Sequence, residues 1–246
     1  MAGIAAQAGY FLGRRLNDSA DSLDLAEFLE RRINWFLARV PWIAEMLRGG
    51  DIARRLGDEP DAGEVVEEFR AAVARHRTGI SDQEHRWGWK NPRTIFVLPF
   101  VHGQYPGMRA IHVVRDGRDM AYSANQNQLT KHGPWVLEEP AARGSQPVRA
   151  MMLWSRVNLA AARYGERHLA GRYCRVRFEE VCADPSGAVG RLVEFLGCRL
   201  TLERHRAAVA EVKSPPSIGR WRTGNATEVR HLMEVGEAAL REFGYV

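Results

Sequence analysis

An arginine and a serine eight residues apart are the most informative pair of polar side chains in the sequence. Arg115 follows the segment 109–114, which is short, rich in β-branched residues and typical of a buried strand. A predicted helix from about Gly117 to Lys131 comes next, so Ser123 would lie about two helical turns along it. Ligands of open α/β sheets bind beyond the carboxyl ends of the strands, and a helix N-terminus there offers free N–H groups to an anion. The pattern predicts an anion site formed by Arg115 and Ser123.

The same segment, from Ile111 to Ser123, resembles the 3′-phosphate-binding motif of sulfotransferases, which use 3′-phosphoadenosine-5′-phosphosulfate as the sulfuryl donor. That family places an arginine at the strand end and a serine eight residues later. The resemblance implies that Arg115 and Ser123 bind the 3′-phosphate of this co-substrate. The plainer alternative is a charge cluster in which Asp116 and Asp119 favour the positive end of the helix dipole.

A lysine about 25 residues earlier supports the same resemblance. The segment Trp89–Pro92 is similar to the strand-end segment in which bacterial sulfotransferases carry a lysine close to the transferring sulfuryl group. A lysine there would neutralise the charge that develops on the bridging oxygen as the S–O bond breaks. The resemblance therefore makes Lys90 a candidate catalytic residue, whereas the alternative is a surface lysine before a proline.

A loop rich in proline and glycine, between the last two predicted helices, is the third matching segment. It contains Gly219, Arg220, Trp221 and Arg222, and the family has a mobile loop here that folds over the adenosine and its 3′-phosphate. The cytosolic branch has Arg-Lys-Gly slightly earlier, where this chain has residues 214–216, so either Arg220 or Arg222 could meet the phosphate. The alternative is a surface loop anchored by a buried Trp221.

The general base stays open between two carboxylates. The cytosolic branch has a histidine two residues after its lysine, and this chain has Pro92 there. Other branches use a carboxylate from the segment after the first helix, which suggests Asp21 or Asp24, with Glu27 a weaker candidate. Helix N-capping by Asp21 or its neighbour is an equally good explanation of these residues.

Short strands that alternate with helices predict an α/β fold with a mostly parallel sheet and helices on both faces. The resemblance, which runs from Gly9 to Tyr245, implies one three-layer domain over residues 1–246, similar to P-loop nucleotide kinases. Three strands are predicted: 87–90, 109–114 and 173–178. Helices are predicted over 23–39, with Pro41 ending that helix or starting a second one, and from a capping box at Asp61 to about His76. The proline- and glycine-containing segment 132–147 predicts a loop or lid. The first strand of that fold and its phosphate loop have no counterpart in the sequence, so we expect a bacterial-type sulfotransferase that is truncated before or within its first helix.

The composition of the chain indicates which classes of ligand and partner to expect. The chain has 35 basic and 30 acidic residues and a net charge of +5, and all but three of the basic residues are arginine, whose guanidinium suits phosphate and sulfate. No metal cluster, membrane span, signal peptide or dense basic run is predicted, so we expect a cytoplasmic enzyme without a metal or nucleic acid partner. The acceptor would be a small molecule or saccharide. The alternatives are a non-catalytic module that binds only the 3′-phosphoadenosine half and, less favoured, a kinase-like phosphoryl transferase.

Overall fold

The computed structural model of the chain describes residues 1–39, 46, 55, 57–80, 86–137 and 144–246. These residues form two compact units. Unit 1 comprises residues 1–36, 51–107 and 184–213, and unit 2 comprises residues 37–50, 108–183 and 214–246. The predicted helix end at Pro41 and part of the predicted loop 132–147 lie outside the described residues.

Helices dominate both units, and the described residues contain one sheet of two parallel strands. The α-helices are α1 (Ala2–Gln7), α2 (Leu23–Arg39), α3 (Ala62–His76), α4 (Leu98–Gln104), α5 (Gly117–Ala121), α6 (Asn127–Val136), α7 (Gln146–Tyr164), α8 (Phe178–Ala183), α9 (Pro185–Phe195), α10 (Leu202–Ala210) and α11 (Ala226–Glu242). The strands are β1 (Ala110–Val114) and β2 (Tyr173–Arg177). Short 3₁₀ segments cover Pro92–Val97, Ala170–Arg172 and Arg220–Thr223, and Gly165–Leu169 is a π-helical turn after α7.

The core of unit 1 is a cluster of four phenylalanines. Phe28 and Phe36 of α2 meet Phe69 of α3 and Phe100 of α4, with ring centroids 4.9 Å apart for Phe36 and Phe100 and 5.1 Å apart for Phe69 and Phe100. All four are buried. Large aromatic side chains dominate core energetics. The predicted helix 23–39 and the predicted helix ending at about His76 are both confirmed.

Unit 2 is organised by the parallel pair β1 and β2. Ala110 pairs with Tyr173 and Val114 pairs with Arg177, so both strands end at the same edge. Parallel strands need a crossover of a dozen or more residues, and helices α5 to α7 supply it. Both strand predictions are confirmed, and the α/β class with them.

The predicted third strand differs from the structure. Trp87 forms a single parallel bridge with Phe11, bounded by hydrogen bonds from Phe11 N to Arg86 O and from Gly88 N to Phe11 O, both 3.0 Å. Lys90 O accepts the N–H of Ser22 instead, and Pro92 has no N–H to continue a ladder. Within the described residues the sheet therefore has two strands, and the three-layer sheet remains a prediction.

The predicted helix over 117–131 is wrong, because α5 ends at Ala121. The Gln126 side chain donates to the carbonyls of Met120, Ala121 and Ser123, at 3.1, 3.2 and 2.8 Å. The carbonyls of Met120 and Ala121 belong to the last turn of α5, where a helix lacks continuing N–H donors, so Gln126 stabilises an early end. The chain resumes as α6, whose continuation to Val136 also corrects the start of the predicted loop.

None of the described helices has the length and apolar character needed to cross a bilayer. The described residues likewise contain no group of three His, Cys, Asp or Glu side chains arranged to hold a metal ion.

Candidate functional site

Arg115 lies directly after β1, at the edge where both strands end. Its Nη2 donates to the carbonyl and to the hydroxyl oxygen of Ser217, at 2.8 and 2.9 Å, and lies 3.6 Å from the carboxylate of Asp119. The guanidinium also lies over the Phe178 ring, 5.4 Å from its centroid. Its Nε is buried without a hydrogen-bond partner among the described residues. A buried, unpaired donor on a cation is costly, and an anion would satisfy it.

Arg220 reaches the same carbonyl. Its Nε donates to Ser217 O at 3.2 Å, and its Nη1 donates to Tyr122 O at 3.3 Å. Two guanidinium groups, from residues 105 positions apart, therefore converge on one acceptor oxygen. The second contact places Arg220 beside the residue that precedes Ser123. The tertiary structure thus brings Arg115, Arg220 and the Ser123 segment together.

Ser123 follows α5 rather than lying within a longer helix. Its hydroxyl accepts the N–H of Asn125 at 3.3 Å, and its own N–H donates to Met120 O at 3.1 Å. The side chain is half-buried. It makes no hydrogen bond to Arg115 in the described structure, so the predicted common ligand would have to join them.

Asp119 fixes the loop that carries Arg220, and sequence reasoning gave it no such role. Its carboxylate accepts the N–H of Gly219 at 2.7 Å and that of Trp221 at 3.2 Å. The Asp119 side chain is 1% exposed. A buried carboxylate needs several donors, and these two N–H groups supply them together with nearby Arg115. No local pattern announces this contact, because the partners are about a hundred residues apart.

Gly219 and Trp221 shape the loop. Gly219 has φ +79°, and a Cβ atom there would come within 2.4 Å of Arg222 Nη1. The Trp221 ring contacts two guanidinium groups, those of Arg118 at 4.0 Å and Arg222 at 4.8 Å from its centroid. Trp221 is half-buried and therefore anchors the loop through cation–π contacts.

Arg222 has different neighbours from Arg220. It lines a cleft of about 290 Å³ with Arg118, Arg177, Gly219 and Tyr245, whereas neither Arg115 nor Arg220 lines that cleft. The structure therefore separates the two arginines that the sequence left as alternatives. Arg220 joins Arg115, and Arg222 stacks on Trp221.

Part of the helix N-terminus after β1 is already hydrogen-bonded to protein carboxylates, so it is less free than predicted. Asp116 N donates to Glu179 Oε1 at 2.9 Å, and Arg118 N donates to Asp116 Oδ1 at 2.9 Å. Glu179 also accepts the Tyr245 hydroxyl at 2.8 Å. Protein carboxylates therefore accept these two N–H groups, and an anion at this edge would need other donors, among them the Arg115 side chain.

A second group of predicted residues lies in unit 1. Lys90 Nζ forms an ion pair with Asp21 Oδ1 at 2.5 Å and donates to Ser19 O at 3.1 Å. Asn17 Nδ2 donates to the other Asp21 oxygen at 3.1 Å. Lys90 is half-buried. The structure thus joins two of the predicted catalytic side chains.

Asp24 and Glu27 have different partners from Asp21. Arg15 binds Asp24 at 2.5 Å and Glu27 at 2.7 Å, and Arg75 lies 3.8 Å from Asp24. Asp24 is 1% exposed. The two carboxylates raise the pKa of Arg15 above its ordinary value. Asp24 therefore links α2 to Arg15 and to Arg75 of α3. Of the predicted carboxylates, Asp21 is the one paired with Lys90.

Two comparisons with known proteins both identify sulfotransferases as similar to this chain. Residues 22–201 match the sequence profile of the Sulfotransferase family. The chain is also 26% identical over 152 residues to carbohydrate sulfotransferase 6 of Homo sapiens, a match that covers 58% of this chain and 38% of that protein. The matched part of the chain thus spans less than half of that relative. No solved structure matches the chain at a significant level.

Proposed function

Because this chain belongs to the sulfotransferase family, we propose that it transfers a sulfuryl group from 3′-phosphoadenosine-5′-phosphosulfate to a hydroxyl or amine of an acceptor. The observation that carries the proposal is the convergence of Arg115 and Arg220 on Ser217 O, together with the unpaired, buried Nε of Arg115. Arginine presents a planar fork of donors that matches phosphate. We assign the 3′-phosphate of the donor to this pair, with the Ser123 hydroxyl as a further contact.

Lys90, in unit 1, would stabilise the charge that develops on the leaving nucleotide during transfer. As sulfuryl transfer proceeds, negative charge grows on the bridging oxygen of the leaving nucleotide, and a fixed cation stabilises it more in the transition state than in the ground state. Lys90 supplies such a cation. Asp21, which is bound to Lys90, is the carboxylate that we propose as general base for the acceptor. The reaction needs no metal in this scheme.

The acceptor class is proposed from the relative and from the chemistry of the transfer. The relative's name specifies carbohydrate, and a saccharide offers the hydroxyl groups that the chemistry requires. We therefore propose a saccharide or small-molecule hydroxyl as acceptor. The resemblance of residues 89–92 to bacterial enzymes supports a bacterial-type member of the family.

Calorimetry tests the donor site first. The chain should bind 3′-phosphoadenosine-5′-phosphate more tightly than adenosine 5′-phosphate, because only the former carries the 3′-phosphate. Radiolabelled donor with a panel of saccharides then tests transfer. Binding without transfer would favour the non-catalytic module. Equal binding of the two nucleotides would exclude Arg115 and Arg220 as a 3′-phosphate site.

A further inference from the structure

A buried histidine of unit 1 contacts the two segments that carry Lys90 and Asp21. His76, the last residue of α3, is 1% exposed. Its Nε2 lies 2.9 Å from Gly88 O, and its Nδ1 lies 2.9 Å from Ser22 Oγ. These two partners are each within two residues of Lys90 or Asp21 along the chain.

The partners fix the proton positions of the ring. A carbonyl oxygen can only accept, so His76 Nε2 carries the proton and donates to Gly88 O. In the neutral ring Nδ1 is then an acceptor, and the Ser22 hydroxyl donates to it. Burial lowers the pKa of His76, while the Gly88 carbonyl and Asp24 act to raise it. The neutral tautomer therefore matches both contacts.

Ser22 ties the two segments together. It is fully buried, its N–H donates to Lys90 O at 3.0 Å, and its hydroxyl also accepts the N–H of Leu25 at 3.3 Å. The lysine segment is thus held by Ser22 at residue 90 and by His76 at residue 88. The aspartate segment is held by the bond between Ser22 and the same imidazole.

We infer that His76 is a positioning residue that sets the separation and orientation of Lys90 and Asp21 through Ser22 and the carbonyl of Gly88. Within the described residues its ring is hydrogen-bonded to Gly88 O and Ser22 Oγ rather than to either charged side chain. Close packing supports this role, since a Cβ atom on Gly13 would come within 2.5 Å of the ring. The kinetic consequence of the inference rests on the proposed function of Lys90, whereas the geometric one does not.

The three lysines of the chain make a direct spectroscopic test possible. Reductive ¹³C-methylation keeps the lysine charge and gives each lysine its own NMR signal. Lys90→Arg assigns the signal of Lys90, and Asp21→Asn shows how that signal moves when the ion pair is lost.

His76→Gln keeps an amide donor for Gly88 O but offers Ser22 no ring nitrogen, and we expect it to shift the Lys90 signal toward that of Asp21→Asn. Ser22→Ala, which keeps the backbone bond to Lys90 O, should shift it the same way and decides the matter if His76→Gln does not fold. His112→Gln is the matched control, because that histidine also has two hydrogen-bonded ring nitrogens, to Tyr173 and Asn158. It should leave the Lys90 signal unchanged.

An unchanged Lys90 signal in folded His76→Gln, or in Ser22→Ala if the former does not fold, overturns the inference. In an active preparation, His76→Gln should lower kcat several-fold with little change in the dissociation constant of 3′-phosphoadenosine-5′-phosphate. The two proposals can fail separately. If the Lys90 signal shifts in His76→Gln but Lys90→Ala has a normal kcat, the catalytic role of Lys90 is refuted and the positioning role of His76 stands.

Discussion

Arg115 and Arg220 share one acceptor, the carbonyl oxygen of Ser217. Arg115 Nη2 donates to it at 2.8 Å and Arg220 Nε donates to it at 3.2 Å. Two like charges converge there although they repel each other. The nearby Asp119 carboxylate, 3.6 Å from Arg115, offsets part of this repulsion. A bound phosphate would offset more of it and would supply an acceptor for Arg115 Nε. This relationship gives the donor site its first test.

Arg115→Ala and Arg220→Ala should each weaken binding of 3′-phosphoadenosine-5′-phosphate. A hydrogen bond to a charged group is worth roughly 1.5–3 kcal/mol, so the dissociation constant should rise about tenfold or more. Binding of adenosine 5′-phosphate should barely change. Arg222→Ala is the matched control, because Arg222 lies over the Trp221 ring and, within the described residues, makes no hydrogen bond to Ser217, and it should have the smaller effect. Calorimetry with both nucleotides measures this, and equal losses for the two ligands would refute the assignment.

Asp119→Ala should loosen the loop that carries Arg220. The substitution removes the acceptor of two backbone N–H groups, Gly219 and Trp221, and each lost partner costs about 1–3 kcal/mol. Hydrogen exchange of these two amides should become faster by tenfold or more. Asp18→Ala, at an exposed position, is the control. Unchanged exchange at residues 219 and 221 would show that the loop is held by other contacts.

Lys90→Ala should lower kcat much more than it weakens donor binding. The lysine charge matters most when the leaving oxygen becomes negative, so its loss raises the barrier without an equal loss of ground-state affinity. Lys90→Arg should retain more activity than Lys90→Ala, and Lys213→Ala serves as the control for removing a lysine. Steady-state kinetics and calorimetry on the same preparations separate the two effects. A normal kcat in Lys90→Ala would refute the catalytic role of Lys90.

Unit 2 should lose stability on acidification because of His112. Burial is the main cause that lowers its pKa to about 4, with Arg175 acting in the same direction and the bond to Asn158 opposing it. The unfolded chain, with an ordinary value near 6.5, therefore binds more protons than the folded chain between about pH 4 and 6.5. Stability should fall as pH falls through that window, by about 3 kcal/mol from this group.

The acid effect is measured by urea unfolding at several pH values. His112→Gln should be destabilised at neutral pH but should lose less further stability between pH 6.5 and 4 than the parent chain. His231→Gln, at an exposed histidine, should follow the parent. Parallel pH curves for the parent and His112→Gln would contradict the prediction.

The sequence predicted those elements whose signals are local. Leu23–Arg39 has apolar residues at helical spacing, the helix ending at His76 begins with a capping-box pattern at Asp61–Glu64, and 109–114 is a short segment rich in β-branched residues, so local patterns located them. Periodicity could not locate the end of α5 at Ala121, because the side chain of Gln126 replaces the helical hydrogen bonds there. It also could not show that Trp87 makes a single bridge, since strand pairing depends on the partner segment.

The sequence by itself determined the family, the α/β class and the residue types of the candidate site, because Arg115, Ser123 and Lys90 lie in contiguous segments with recognisable order and spacing. Only the tertiary structure decided which of those residues meet. It brings Arg115 together with Arg220 rather than Arg222, and Lys90 together with Asp21 rather than Asp24. It also places the carboxylates of Glu179 and Asp116 on two N–H groups at the start of α5. The physical reason is that a hydrogen bond depends on distances of about 3 Å between groups that can be a hundred residues apart, and no local pattern encodes such distances.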